Sequence, residues 1–195
     1  MAKIALAEIW AQAYHHGKKR RFSGESYAKH PIRVAALVSL VPDATDDMIC
    51  AALLHDLVED TEVTLPEIRR VFGDSVGALV AGLTRPSAAM EGSRRAHWKQ
   101  VQADREHMKT ICPEAKIIKL CDRLDNLKDI ELAAVEFSEW YLRDSEEMLE
   151  DIGGASEALS KMLSERIEAK REQIKAEAQE RPDKERDRGL EGAAA

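Results

Sequence analysis

The stretch LLHDLVEDTEVT, residues 53–64, constrains the fold more than any other part of the chain. An apolar run with helical spacing carries His55, Asp56, Glu59 and Asp60 just where its hydrophobic face should be buried. An unpaired charge is strongly disfavoured in a protein interior, so these groups need partners, solvent or a metal ion. A second polar intrusion lies downstream. The helix that Pro113 opens has a broad apolar set, Ile117, Ile118, Leu120, Cys121, Leu124, Leu127 and Ile130, interrupted by Asp122 and Asn126.

Around these two runs the chain reads as all-α. Ile4, Leu6, Ile9, Trp10, Ala13 and Tyr14 recur at helical spacing until Gly17 ends the first helix near His16. A polar loop, GKKRRFSGESYAK, then leads to His30-Pro31, where proline in a first turn marks a new helix and places His30 at its N-terminus. DDMICAALLHDLVED reads as one further helix. Thr64 and Glu67 form a capping box for LPEIRRVF, Gly73 closes that helix, and Asp74 is the expected cap of SVGALVAGL. TRPSAAMEGS reads as a loop before a charged helix over RRAHWKQVQADREHMKTI. Further helices are expected from about 132 to 150 and 155 to 178. The expected architecture is a helical bundle over residues 1–150, a C-terminal amphipathic helix over 151–180 and a disordered tail over 181–195. Leu159, Leu163, Ile167 and Ile174 form a narrow stripe that fits docking on the domain or on a second copy, which leaves a homo-oligomer open.

Composition narrows the function classes. The 195 residues are 44% apolar and 33% charged with net charge −7, a balance that argues against wholesale nucleic-acid binding. Small anions remain candidates where cations are concentrated, as in the run KKRR at 18–21. No membrane span or signal-peptide core is evident, which points to a cytoplasmic protein. Cys50, Cys112 and Cys121 form no CxxC pair and are expected as buried, reduced thiols. His15, His16, His97 and His107 read as surface or packing residues, and Met48, Leu53, Trp98, Trp140 and Leu142 as core.

Helical spacing of four pairs His55 with Glu59, Asp56 with Asp60, and Asp122 with Asn126. Imidazole and carboxylate together suit divalent first-row ions, so His55 and Asp56 could share one ion with His30 and Asp122. Glu59 and Asp60 would then orient or deprotonate water, and Asn126 would hold a ligand or the substrate through its amide. The competing explanation is a set of helix-end salt bridges and solvated carboxylates.

RFSGESYAKHP, ALLHDLVEDT, FGDSVGALVAGLT and IIKLCDRLDNLKDI, in this order and spacing, resemble the HD-type hydrolase domain of the RelA/SpoT family over about residues 4–131. The resemblance implies an all-α HD-domain bundle that removes the 3′-pyrophosphate of (p)ppGpp. It implies Mn²⁺ held by His30, His55, Asp56 and Asp122, water activation by Glu59 and Asp60, Asn126 near metal and substrate, and guanine-nucleotide contacts from Arg21 and Ser23. Two departures stand out: Arg21-Phe22 where relatives commonly have Arg-Lys, and GESY in place of GEPY. They keep a second substrate class in view, another nucleotide or a phosphorylated cofactor. A nucleotide-binding regulatory module without turnover is the third reading. The chain has no room for the synthetase and regulatory domains of long relatives and reads as a stand-alone small hydrolase.

Overall fold

The computed structural model describes the backbone of residues 1–86 and 94–191, with side chains at 1–86, 99–130 and 132–177. Ten α-helices are present among them: α1 Ala2–Tyr14, α2 Lys29–Ser39, α3 Asp46–Leu54, α4 Leu57–Asp60, α5 Leu65–Phe72, α6 Asp74–Leu83, α7 Arg94–Thr110, α8 Pro113–Asp129, α9 Val135–Ile152 and α10 Glu157–Glu191. The fold is all-α, as its periodicity predicts. The described residues contain no named strand, only an isolated antiparallel bridge between Lys19 and Ser26.

The central element is α3, which packs against α1, α2, α6 and α8. Met48, Cys50, Ala51, Ala52, Leu53 and Leu54 are all buried, so apolar residues on every side of this short helix have somewhere to go. Thr45 caps it by accepting from the Met48 amide at 3.2 Å. The Thr64–Glu67 capping box is formed, and Pro113 begins α8 as its fixed φ favours. Between α5 and α6, Gly73 takes φ +91, closing one helix and preceding the next. It displaces Asp74 from the expected cap position into the first turn of α6, where a carboxylate still faces the positive helix end.

The expected single helix over residues 46–60 is divided. It stops at Leu54 and restarts at Leu57, with His55 and Asp56 in the turn between. His55 Nδ1 contacts the Ala52 carbonyl at 2.8 Å, so the side chain uses an oxygen that a continuous helix would offer to the Asp56 amide. Asp56 caps the second segment, and the Asp60 amide donates to its carbonyl at 2.9 Å, so Asp60 still follows Asp56 by one helical turn.

At the other end, α10 packs on α8 and α9, and α9 meets α8 through Tyr141, Asp144 and Ser145 around Arg123. Leu159, Leu163, Ile167 and Ile174 are buried, so the C-terminal stripe docks on its own domain. The backbone is helical through Glu191, past the boundary expected at 180. That segment lacks a core-forming stripe; its Arg, Lys and Glu residues favour helix without packing, while Pro182 and Gly189 do not. Residues 192–195, most of the TRPSAAMEGS loop, and the side chains of His97 and Trp98 lie outside the described residues.

Two placements differ from the sequence expectation. Cys112 is exposed because it is the residue that precedes α8, whereas Cys50 and Cys121 are buried. Trp140 is 42% exposed and not core. It lies on the face of α9 that borders a cavity, beside Phe137 and Tyr141.

Candidate active site

Helices α2 and α8 and the turn between α3 and α4 bring His30, His55, Asp56 and Asp122 together. His30 is in the first turn of α2, His55 and Asp56 occupy the turn after α3, and Asp122 is in the middle of α8. His30 Nε2 is 3.1 Å from Asp122 Oδ1 and 3.6 Å from Asp56 Oδ2. His55 Nε2 is 3.1 Å from Asp56 Oδ1 and 3.7 Å from Asp122 Oδ1. Ligand atoms of His30, His55 and Asp56 all lie within 4.8 Å of one another.

The donor set fits a divalent cation. Since a carbonyl only accepts, the contact with Ala52 puts a proton on His55 Nδ1, so in the neutral ring the lone pair is on Nε2, turned into the cluster. That buried nitrogen has no hydrogen-bond partner. Burial opposes charge on both imidazoles, yet both are held above their ordinary value, His30 by Asp122 and Asp125 and His55 by Asp56 and Asp122. Asp122 is held well below the usual carboxylate range despite its burial, chiefly by Lys119 and the histidines. The cluster therefore attracts positive charge, which is what two imidazoles and two carboxylates present to a first-row ion.

Further groups fix these side chains. Tyr27 donates from its hydroxyl to Asp56 Oδ2 at 2.7 Å, and Lys119 Nζ donates to Asp122 Oδ2 at 2.8 Å. Asn126 spans two elements: its Nδ2 donates to Asp122 Oδ1 at 2.7 Å while its Oδ1 accepts from Arg20 Nη2 at 2.7 Å. Arg20 is also 3.4 Å from Asp129 and is buried, whereas its neighbour Arg21 is exposed. This alternation comes from a small hairpin, in which the Arg20 amide donates to the Glu25 carbonyl at 2.8 Å and that of Tyr27 to Lys18 at 3.0 Å. Gly24, with φ +67, permits the turn.

Glu59 and Asp60 separate. Glu59 lines the cavity and accepts three bonds from Arg85, through the backbone amide and Nε at 2.7 Å each and Nη2 at 2.6 Å. Asp60 is not among the cavity-lining residues. Partial burial and the Asp56 charge push its carboxyl above the usual range.

The cavity above the cluster has a volume of about 480 Å³. Its rim is aromatic and cationic. Phe22 packs against Phe137 with centroids 5.0 Å apart, and the Arg21 guanidinium sits 5.2 Å from the Phe22 ring and 5.5 Å from that of Phe137. Ser23 is exposed and does not line the cavity; its amide donates to Asp129 Oδ1 at 3.2 Å. Asp125 and Arg33 escaped sequence reading, while Arg20 and Tyr27 lay within the basic run and the SGESY loop without a role of their own. The KKRR run pointed to the loop without showing which cation turns inward, and an HD spacing pattern carries no mark for Asp125. The remaining histidines behave as packing or surface groups: His15 is buried against Tyr27, His16 is exposed, and His107 contacts the Gly82 carbonyl at 2.9 Å.

An open acidic cluster with imidazole ligands, below a cavity rimmed by arginine and aromatic rings, suits phosphate-ester or anhydride hydrolysis. Among the described residues no helix is long and apolar enough to cross a membrane.

Comparison with known proteins agrees with this chemistry. A protein of Danio rerio named guanosine-3′,5′-bis(diphosphate) 3′-pyrophosphohydrolase MESH1 is 37% identical over 121 residues, covering 62% of this chain and 64% of that protein. A Mycoplasma pneumoniae protein named probable guanosine-3′,5′-bis(diphosphate) 3′-pyrophosphohydrolase is 32% identical over 146 residues, 71% of this chain but only 20% of its own length. A solved structure described as a metazoan ortholog of SpoT that hydrolyzes ppGpp superposes with a TM-score of 0.77 at 26% identity, covering 87% of this chain and 96% of that one. The HD domain family matches residues 7–145. By that match over most of its length, the chain belongs to the HD domain family.

Proposed function

We propose that this protein is a metal-dependent pyrophosphohydrolase that removes the 3′-pyrophosphate of guanosine 3′,5′-bis(diphosphate), with Mn²⁺ as its ion. The observation that carries this reading is the convergence of His30, His55, Asp56 and Asp122 below an open cavity. These four side chains would hold the ion. Bound there, a divalent cation supplies Lewis acidity toward water and a phosphoryl oxygen. The named activities of the zebrafish and Mycoplasma relatives support the substrate assignment.

The chain's own groups do the rest. Tyr27, Lys119 and Asn126 orient the Asp56 and Asp122 carboxylates through the bonds described above. Glu59, facing the cavity, and Asp60, with its raised carboxyl, are the proton acceptors for the attacking water. Arg21 binds the nucleotide from the rim, where its guanidinium and the rings of Phe22 and Phe137 offer a surface for a purine. Ser23 contributes from the adjoining loop.

That rim suits purines generally, so specificity needs a direct comparison. Metal-reconstituted protein is incubated with ppGpp beside a panel of nucleotides and phosphorylated cofactors, and the released phosphates are identified by ³¹P NMR. Pyrophosphate release from the 3′ position of ppGpp is expected, abolished by chelation and restored by Mn²⁺. Turnover of another nucleotide with ppGpp untouched would keep the chemistry and overturn the substrate. Full turnover by protein shown to be metal-free would overturn the mechanism.

A further inference from the structure

Behind the candidate metal ligands lies a carboxylate that no spacing argument singled out. Asp125 is fully buried. Its Oδ2 is 2.8 Å from His30 Nδ1, and it receives two bonds from one guanidinium, Arg33 Nε to Oδ1 at 2.6 Å and Nη2 to Oδ2 at 3.0 Å. The remaining Arg33 nitrogen, Nη1, donates to Glu25 Oε2 at 2.6 Å, and Glu25 belongs to the hairpin that presents Arg20 and Arg21. The chain of contacts thus runs from the substrate loop through Arg33 and Asp125 to the imidazole of His30.

We infer that Asp125 is a positioning residue for His30, and that Arg33 locks it in place and ties it to the loop. A carboxylate that already accepts two bonds from a guanidinium is an acceptor toward the imidazole, so Nδ1 must carry the proton. In the neutral ring, the form that can bind a metal, Nε2 then carries the lone pair on the side of Asp56 and Asp122. A carboxylate in this position fixes both the tautomer and the ring orientation of a histidine ligand and increases its basicity. His55 achieves the same with a backbone carbonyl, which is neutral; His30 does so with a charge. The buried Asp125 charge has a partner, Arg33, on the same helix as His30 and one turn further on, so a single rigid element carries both the ligand and the cation that anchors its orienter.

This inference rests on the metal-site reading for its functional meaning, and the test separates the two. Metal-free protein is titrated with Mn²⁺ in competition with a chromophoric chelator. Asp125→Asn keeps an acceptor oxygen without the charge and is expected to weaken Mn²⁺ binding by up to about 10-fold, and Arg33→Met with Asp125→Leu by about 10- to 100-fold. The double variant removes both charges, so neither is left buried alone. Wild-type affinity in a folded double variant would overturn the inference. If that variant does not fold, unchanged affinity in Asp125→Asn would overturn it instead.

A second readout needs neither metal nor activity. In ¹⁵N-coupled proton spectra of metal-free protein, the His30 Hδ1 resonance should be downfield and protected, and should move or vanish in Asp125→Asn. A wild-type His30 lacking that proton would overturn the positioning role even if Mn²⁺ binds. A wild-type protein that shows the proton but binds no Mn²⁺ would uphold the positioning of His30 and overturn the metal-site reading.

Discussion

The two faces of α8 bury their side chains on opposite terms. Toward α2, α3 and α4 it presents Asp122 and Asp125, each held by hydrogen bonds or ion pairs to a histidine and a cation. Toward α10 it meets an apolar stripe, with Leu163 and Ile167 among the most buried residues, while beside it the buried Arg123 pairs with Asp144 of α9. A charge is tolerated in the first region only because neighbouring elements were arranged to meet it, whereas the second needs little more than complementary volume. Function should therefore be concentrated in the first region and stability in the second.

The sharpest way to break this contrast is Asp122→Ala. It removes one of the four converging side chains proposed to hold the ion, and bound Mn²⁺ in elemental analysis should be lost together with turnover. A variant with full metal content would place the ion elsewhere. Next comes Glu59→Gln with Asp60→Asn, which preserves size but removes basicity. We expect metal and nucleotide binding to persist while kcat falls at least roughly 10²-fold. Near-normal kcat in folded, metal-loaded protein would return these two carboxylates to a salt-bridge role.

The apolar region should respond in the opposite sense. Leu163→Ala deletes a fully buried side chain of α10 and should reduce stability by about 2–5 kcal/mol in denaturant unfolding, with kcat of the remaining folded protein near wild type. A large fall in kcat at unchanged stability would show that α10 works on the site directly. At the small end, Lys161→Ala alters an exposed residue whose ion pair with Glu165 is a loose 4.0 Å, and unfolding should shift by less than about 0.5 kcal/mol.

Much of this was legible before any coordinates. The order of helices, the capping box at Thr64 and Glu67, the start of α8 at Pro113 and the apolar stripe of α10 all follow from local rules of spacing and capping. The grouping of His30, His55, Asp56 and Asp122 was suggested by their residue types and by a family resemblance, and the fold brings those side chains together. The break at His55 was hidden, because LLHDLVED satisfies helical periodicity throughout and a single side-chain contact to the Ala52 carbonyl accompanies the interruption. Trp140 was misplaced for a related reason. Its spacing marks a helix face but does not say whether that face meets another helix or borders a cavity.

The sequence by itself determined which segments are helical, which faces are apolar and which residue types carry the chemistry, since each depends on neighbours within a few positions along the chain. Only the tertiary structure decided that Arg20 turns inward while Arg21 turns out, that Glu59 is clamped by Arg85 and parted from Asp60, and that Asp125 stands behind His30. His30 and Asp125 are separated by 95 residues, as Arg20 and Asn126 are by 106. Pairings over such distances are set by how helices pack, and periodicity within one helix contains no information about what the next will bring against it.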